Sequence, residues 1–141
     1  MTELDFHFNV PELVPYACRL LREAVASGAK VMVTARPETL VALDSALWTF
    51  SELDFVPHCF VDSDARLLAS SPVVLAASLD TLAHQQVLLN LGLEVPAGFE
   101  RFERLIELVG LEEDERQAAR RRWKHYMDHG YSITRHDFNS K

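Results

Sequence analysis

Apolar and polar residues alternate from Leu4 to Phe8, the period of a half-buried strand, and Asn9 closes it. Pro11 then opens a helix expected over Glu12 to Ser27, with Leu13, Ala17, Leu20, Leu21 and Ala24 on one face and Gly28 as its stop. Lys30 to Ala35 is a nearly continuous apolar run, as in strands buried on both sides, and Arg36-Pro37-Glu38 starts a second helix reaching about Thr49. Val56 to Val61 and Pro72 to Ala76 read as short strands. Between them lie an Asp62-Ser-Asp64 turn cluster and a connection ending at Ser70-Ser71-Pro72. Gln86 to Asn90 makes another strand, stopped by Gly92 and Pro96.

From Gly98 the spacing of Phe99, Phe102, Leu105, Ile106 and Val109 predicts a helix broken by Gly110. A last helix is expected from Glu112 to about His129, ending before Gly130. Strands alternating with helices predict a three-layer α/β/α sandwich with a mostly parallel sheet and a Rossmann-like topology. The 141 residues, 48% hydrophobic and 25% charged, fit one domain over residues 1–141.

Charge changes the picture at the C-terminal end. Arg116 to Met127 carries five basic residues, two aromatics and no acid in a chain of net charge -7, which leaves -12 for everything else. Duplex DNA would be repelled by most of such a surface, whereas a short acidic segment could dock on the basic stretch. On a helix, Ala119, Trp123, Tyr126 and Met127 share one face, with Arg120 and Lys124 one turn apart along its border. Two readings fit: an apolar groove with a cationic rim, or the core face of an amphipathic helix with solvated arginines.

Several chemistries lack their motifs. The glycines stand at 28, 92, 98, 110 and 130, so no Gly-x-Gly-x-x-Gly and no phosphate loop exist, and a nucleotide-binding loop is not expected. No Gly-x-Ser-x-Gly elbow is present, and no metal cluster either. His125 and His129 are four apart with no third ligand, and read as surface imidazoles near a helix C-terminus. Glu112-Glu113-Asp114-Glu115 suits a helix's first turn. Cys18 and Cys59 read as reduced thiols. The acidic N-terminus and the lack of a long apolar run predict a cytoplasmic protein without a membrane span.

Four segments, in order, resemble one family. Leu43-Asp-Ser-Ala-Leu-Trp48 followed by Phe55-Val-Pro-His58 is similar to the Leu-Asp-x-x-Leu-Trp and Phe-x-Pro-His segments of the chi subunit of bacterial DNA polymerase III holoenzyme. Ala119 to Tyr131 resembles its C-terminal Arg-x-Arg-aromatic-Lys-x-Tyr-x-x-x-Gly-aromatic signature. Val87 to Gly92 and Phe99 to Val109 look like its penultimate strand and helix.

The resemblance implies a non-catalytic clamp-loader accessory subunit that needs no cofactor. It implies a link, through the psi subunit, to the acidic C-terminal tail of single-stranded DNA-binding protein, with nucleic acid met only indirectly. By the same resemblance, Arg120 and Lys124 would hold tail carboxylates. Trp123, with Arg116 and Tyr126, would line the site, and Gly130 would end the helix so that the chain can fold back. Trp48, Phe55, Pro57 and His58 would dock psi or a DNA repair helicase, or else serve as core anchors. A nucleotide-binding α/β enzyme and a direct DNA binder remain the alternatives.

Overall fold

The computed structural model describes residues 1–49 and 56–138. Seven strands, β1 (Glu3–Phe8), β2 (Val31–Thr34), β3 (His58–Phe60), β4 (Val73–Ala76), β5 (Val87–Asn90), β6 (Arg104–Leu108) and β7 (Ile133–Asp137), form one sheet. Its order is β3-β4-β2-β5-β6-β1-β7, and every neighbouring pair is parallel. The helices are α1 (Leu13–Ala26), α2 (Pro37–Thr49), α3 (Ala65–Ser70) and α4 (Glu113–Asp128), with a 3-10 turn at Phe99–Arg101.

The layering follows from the handedness of parallel crossovers. The chain moves one way across the sheet from β1 to β2 to β3, so α1 and α2 share a face. Every later connection moves the other way and covers the opposite face with α3, the 3-10 turn and α4. Each face has its own core. Leu21, Leu43 and Leu47 pack with Val31, Val33 and Leu75 on the α1/α2 side, and Phe6, Met32, Leu88 and Leu105 pack with Phe99 and Tyr126 on the α4 side. The three-layer sandwich is thus present, with a wholly parallel sheet. Cys18 and Cys59 belong to opposite faces and cannot meet; burial pushes the Cys18 thiol up to about 11.

Three elements differ from expectation. The segment after Gly98 is not a helix: Phe99 sits in the 3-10 turn, and Arg104–Leu108 is the strand β6. Leu105 and Val109 face the α4 core while Ile106 and Leu108 face the α1 core, so both faces are apolar and the run carries no clean alternation. Pairing with β1 and β5 decides the matter. The connection before Ser71 contains α3, for which Asp64 is the N-cap, accepting from the Leu67 N–H at 3.0 Å. The segment after Gly130 forms β7, which pairs with β1.

Candidate functional site

Helix α4 lies on the sheet through Ala118, Ala119, Arg122 and Tyr126, all buried. Arg122 is therefore not part of a solvated basic face. Its Nε lies 3.1 Å from Glu107 Oε1 on β6, and its guanidinium donates to the Leu93 carbonyl at 3.0 Å. Tyr126 donates its hydroxyl to Glu107 Oε2 at 2.6 Å, and Asn90 donates to Oε1 at 2.9 Å. Burial pushes the Glu107 carboxyl up, against the opposing pull of Arg122, Tyr126 and Asn90. Burial and the neighbouring Glu107 carboxylate push the Tyr126 hydroxyl up as well. Four polar groups thereby fix the rotation of α4 about its axis.

With α4 so fixed, its first half overhangs the carboxyl edge of β1 and β6 and leaves a cleft of about 400 Å³. Phe8, Val109 and Ala119 supply apolar lining beside Trp123. Trp123 is half-buried, with ring centroids 5.2 Å from Phe6 and 5.8 Å from Phe8. Arg116, Arg120 and Arg135 border the cleft. Arg116 donates to Asn9 Oδ1 at 2.9 Å, and Asn9, at φ 59, donates in turn to Asp137 at 2.9 Å. Arg120 is exposed, with Glu113 at 3.7 Å. Gly110 closes one end: a Cβ there would collide with the Glu115 carboxylate.

The structure sorts the residues expected on the helix face. Arg116, Arg120 and Trp123 meet at the cleft. Tyr126 is buried beneath it, Met127 is 52% exposed and away from it, and Lys124 points to solvent beside Asp128 at 3.3 Å. Gly130, at φ 83, ends α4: the Gly130 N–H bonds the Met127 carbonyl at 3.1 Å and the Tyr131 N–H bonds the Tyr126 carbonyl at 3.0 Å. That turn sends the chain back along β1. Phe8, Asn9 and Arg135 carry no sequence signal for this cleft, because nothing local to β1 or β7 says that the two strands pair and meet beside α4.

A second exposed surface lies on the far side of the sheet. Trp48, at the end of α2, is 61% exposed, and Val41 on the same helix is 59% exposed. His58 does not reach solvent: its side chain is 0% exposed, flanked by the Val56 carbonyl at 2.7 Å and Asp44 Oδ1 at 3.0 Å, with the Trp48 ring 5.4 Å away. It holds Trp48 from below. Pro57 is partly exposed, and Phe55 lies outside the described residues.

A further cleft, about 340 Å³, opens at the carboxyl ends of β2, β4 and β5, where doubly wound sheets often bind ligands. Asn90 at its base is fully engaged, accepting from Thr34 and the Gly92 N–H and donating to Glu107 and the Glu94 carbonyl. His125 and His129 stack at 4.2 Å, with His129 Nδ1 against the His125 carbonyl. Among the described residues, no group of three His, Cys, Asp or Glu is placed to hold a metal, and no helix is long and apolar enough to cross a membrane.

By shape, the chain is similar to the C-terminal domain of the DEAD-box protein Dbp5. The TM-score is 0.62 at 14% identity, covering 99% of this chain and 92% of that one, a likeness of fold alone. By sequence, it is 34% identical over 142 residues to the DNA polymerase III subunit chi of Pseudomonas aeruginosa, covering 96% of both chains. It is 27% identical over 134 residues to the subunit chi of Escherichia coli, covering 94% of this chain and 88% of that one. The family model described as DNA polymerase III chi subunit, HolC, matches residues 1–134. With that model spanning nearly the whole chain and a relative 34% identical over 96% of it, the chain belongs to the DNA polymerase III chi subunit family.

Proposed function

We propose that this protein is a non-catalytic adaptor of the clamp-loader complex, acting in the cytoplasm as a single chi-like unit over residues 1–141. Its α4/β7 cleft takes the acidic C-terminal tail of single-stranded DNA-binding protein. The surface around Trp48 docks the psi subunit or a repair helicase. One observation carries the tail assignment: three arginines converge on an aromatic-lined cleft in a chain whose net charge is -7. Carboxylates suit the guanidinium forks, and an apolar terminal side chain suits the Trp123 and Phe8 lining. Arg116 and Arg120 are the first candidates to grip them, with Lys124 adding long-range attraction from outside the cleft.

A direct DNA binder is disfavoured by the same charge balance, since a long polyanion would meet acidic surface beyond the cleft. One titration separates the readings: the protein against an acidic tail peptide, with single-stranded DNA and ATP as parallel ligands. The peptide should bind, more weakly as salt rises, and Arg120→Ala should cost about 1.5–3 kcal/mol of that affinity without unfolding the exposed helix face. Unchanged affinity in the folded variant would remove Arg120 from the site. Tight DNA binding, or ATP turnover abolished by changing one polar residue, would overturn the adaptor reading.

A further inference from the structure

The cleft has two walls, and only one is the basic helix. Arg135 comes from β7, opposite Phe6 in the β1 register, so its side chain emerges on the α4 face of the sheet. Its guanidinium carbon lies 4.7 Å from the centroid of the Phe8 ring, the ring that Trp123 also touches. Stacking on an aromatic ring holds the fork in place while leaving its in-plane N–H groups available. Among the described residues, Arg135 makes no ion pair, whereas Arg120 lies beside Glu113 and Arg116 is tied to Asn9. The nearby acid, Asp137, is engaged by Asn9.

We infer that Arg135 is a third cation of this cleft, gripping an acidic side chain of the docked peptide that the α4 arginines do not hold. This rests on the tail-binding reading. Arg116 and Arg120 approach from the helix layer and Arg135 from the sheet edge, with Phe8 and Trp123 between them. A peptide whose apolar end covers those rings then has cations on both sides, and a segment with several spaced acids fits better than one bearing only its terminal carboxylate.

The test is fluorescence anisotropy with a labelled acidic peptide ending in an aromatic residue, alongside versions in which single acids become Asn. Arg135→Ala should weaken binding ~3–10-fold, and Arg135→Gln, which keeps the planar stack without charge, should lose as much. Arg135→Lys, which keeps the charge but neither the stack nor the fork, should fall between wild type and Arg135→Gln. The fold-losses of Arg120→Ala and Arg135→Ala should multiply in the double variant, as for separate contacts. The Arg135→Ala loss should disappear with one of the Asn-substituted peptides.

Arg135→Gln binding like wild type would overturn the inference while leaving the cleft assignment intact, provided Arg120→Ala still loses affinity. A double variant no weaker than Arg120→Ala alone would show one shared carboxylate and would also overturn it. Failure of the wild type to bind any of the peptides would remove the tail reading and this inference together. Near-UV circular dichroism of each variant, unchanged from wild type, shows that the losses belong to the site.

Discussion

Arg122 on α4 and Glu107 on β6 meet with 3.1 Å between Nε and Oε1, their side chains 3% and 0% exposed. Glu107 is the acid that lets an arginine from the basic stretch enter the core. Without it, the helix would have to turn Arg122 outward and carry Trp123 away from Phe6 and Phe8. A pair so buried stabilises little in total, because desolvating both ions offsets most of their attraction, but losing one partner strands the other.

Glu107→Gln should therefore destabilise the fold by about 3–5 kcal/mol, leaving Arg122 uncompensated, as urea denaturation would report. Arg122→Met should cost less, since a carboxyl already pushed up by burial can take a proton. The sign is fixed: a group with a raised folded-state pKa contributes fully below its unfolded value and loses that contribution as pH rises through the folded one. The deficit of Arg122→Met relative to wild type should shrink as pH falls, and an unchanged deficit would mean that Glu107 stays ionised without its partner.

Gly130 and Gly28 stand at φ 83 and φ 87, each with open space where a Cβ would go. Ala at either position should cost about 1–2 kcal/mol, from the left-handed backbone alone. Only Gly130→Ala should also weaken tail-peptide binding, because Gly130 starts the return of the chain that places Arg135. Equal peptide affinity for the two variants would separate the turn from the site.

Asp5 is held between Arg104 Nε at 2.6 Å and His136 Nε2 at 3.2 Å. Burial raises its pKa, but the bonds from Arg104 and His136 outweigh that and hold the carboxyl below its ordinary range. The unfolded chain then takes the proton first, so this contribution is present above the ordinary carboxylate pKa and lost as pH falls through the folded value. Asp5→Asn should lower stability at neutral pH by about 1 kcal/mol, discounted because Arg104 is half-exposed, and should flatten the acid limb of the stability profile below about pH 4. Denaturant midpoints across that range would check both.

Trp48 and the α4/β7 cleft lie on opposite layers of the sheet. Trp48→Ala should reduce binding of psi, or of the partner that replaces it, while tail-peptide affinity stays within about twofold, ~0.4 kcal/mol. Competition by pull-down is the complementary measurement. Saturating tail peptide should not displace the second partner, and displacement would contradict bridging.

The sequence by itself determined the β1-α1-β2-α2 opening, because continuous apolar runs and Pro and Gly punctuation act within a few residues of chain. It also determined the family, through motifs around Trp48 and Arg120 whose order survives without coordinates. The tertiary structure alone decided that Arg104–Leu108 is a strand, since a run apolar on both faces has no period of its own and takes its conformation from β1 and β5 on either side. It decided too that, of five neighbouring cations, Arg122 goes inward while Arg120 stays out, because the buried acid that compensates Arg122 lies on another element. And it decided the second wall of the cleft: Phe8 and Arg135 are far apart in the chain and meet through parallel pairing of β1 with β7, a contact whose free energy exists only after the sheet has formed.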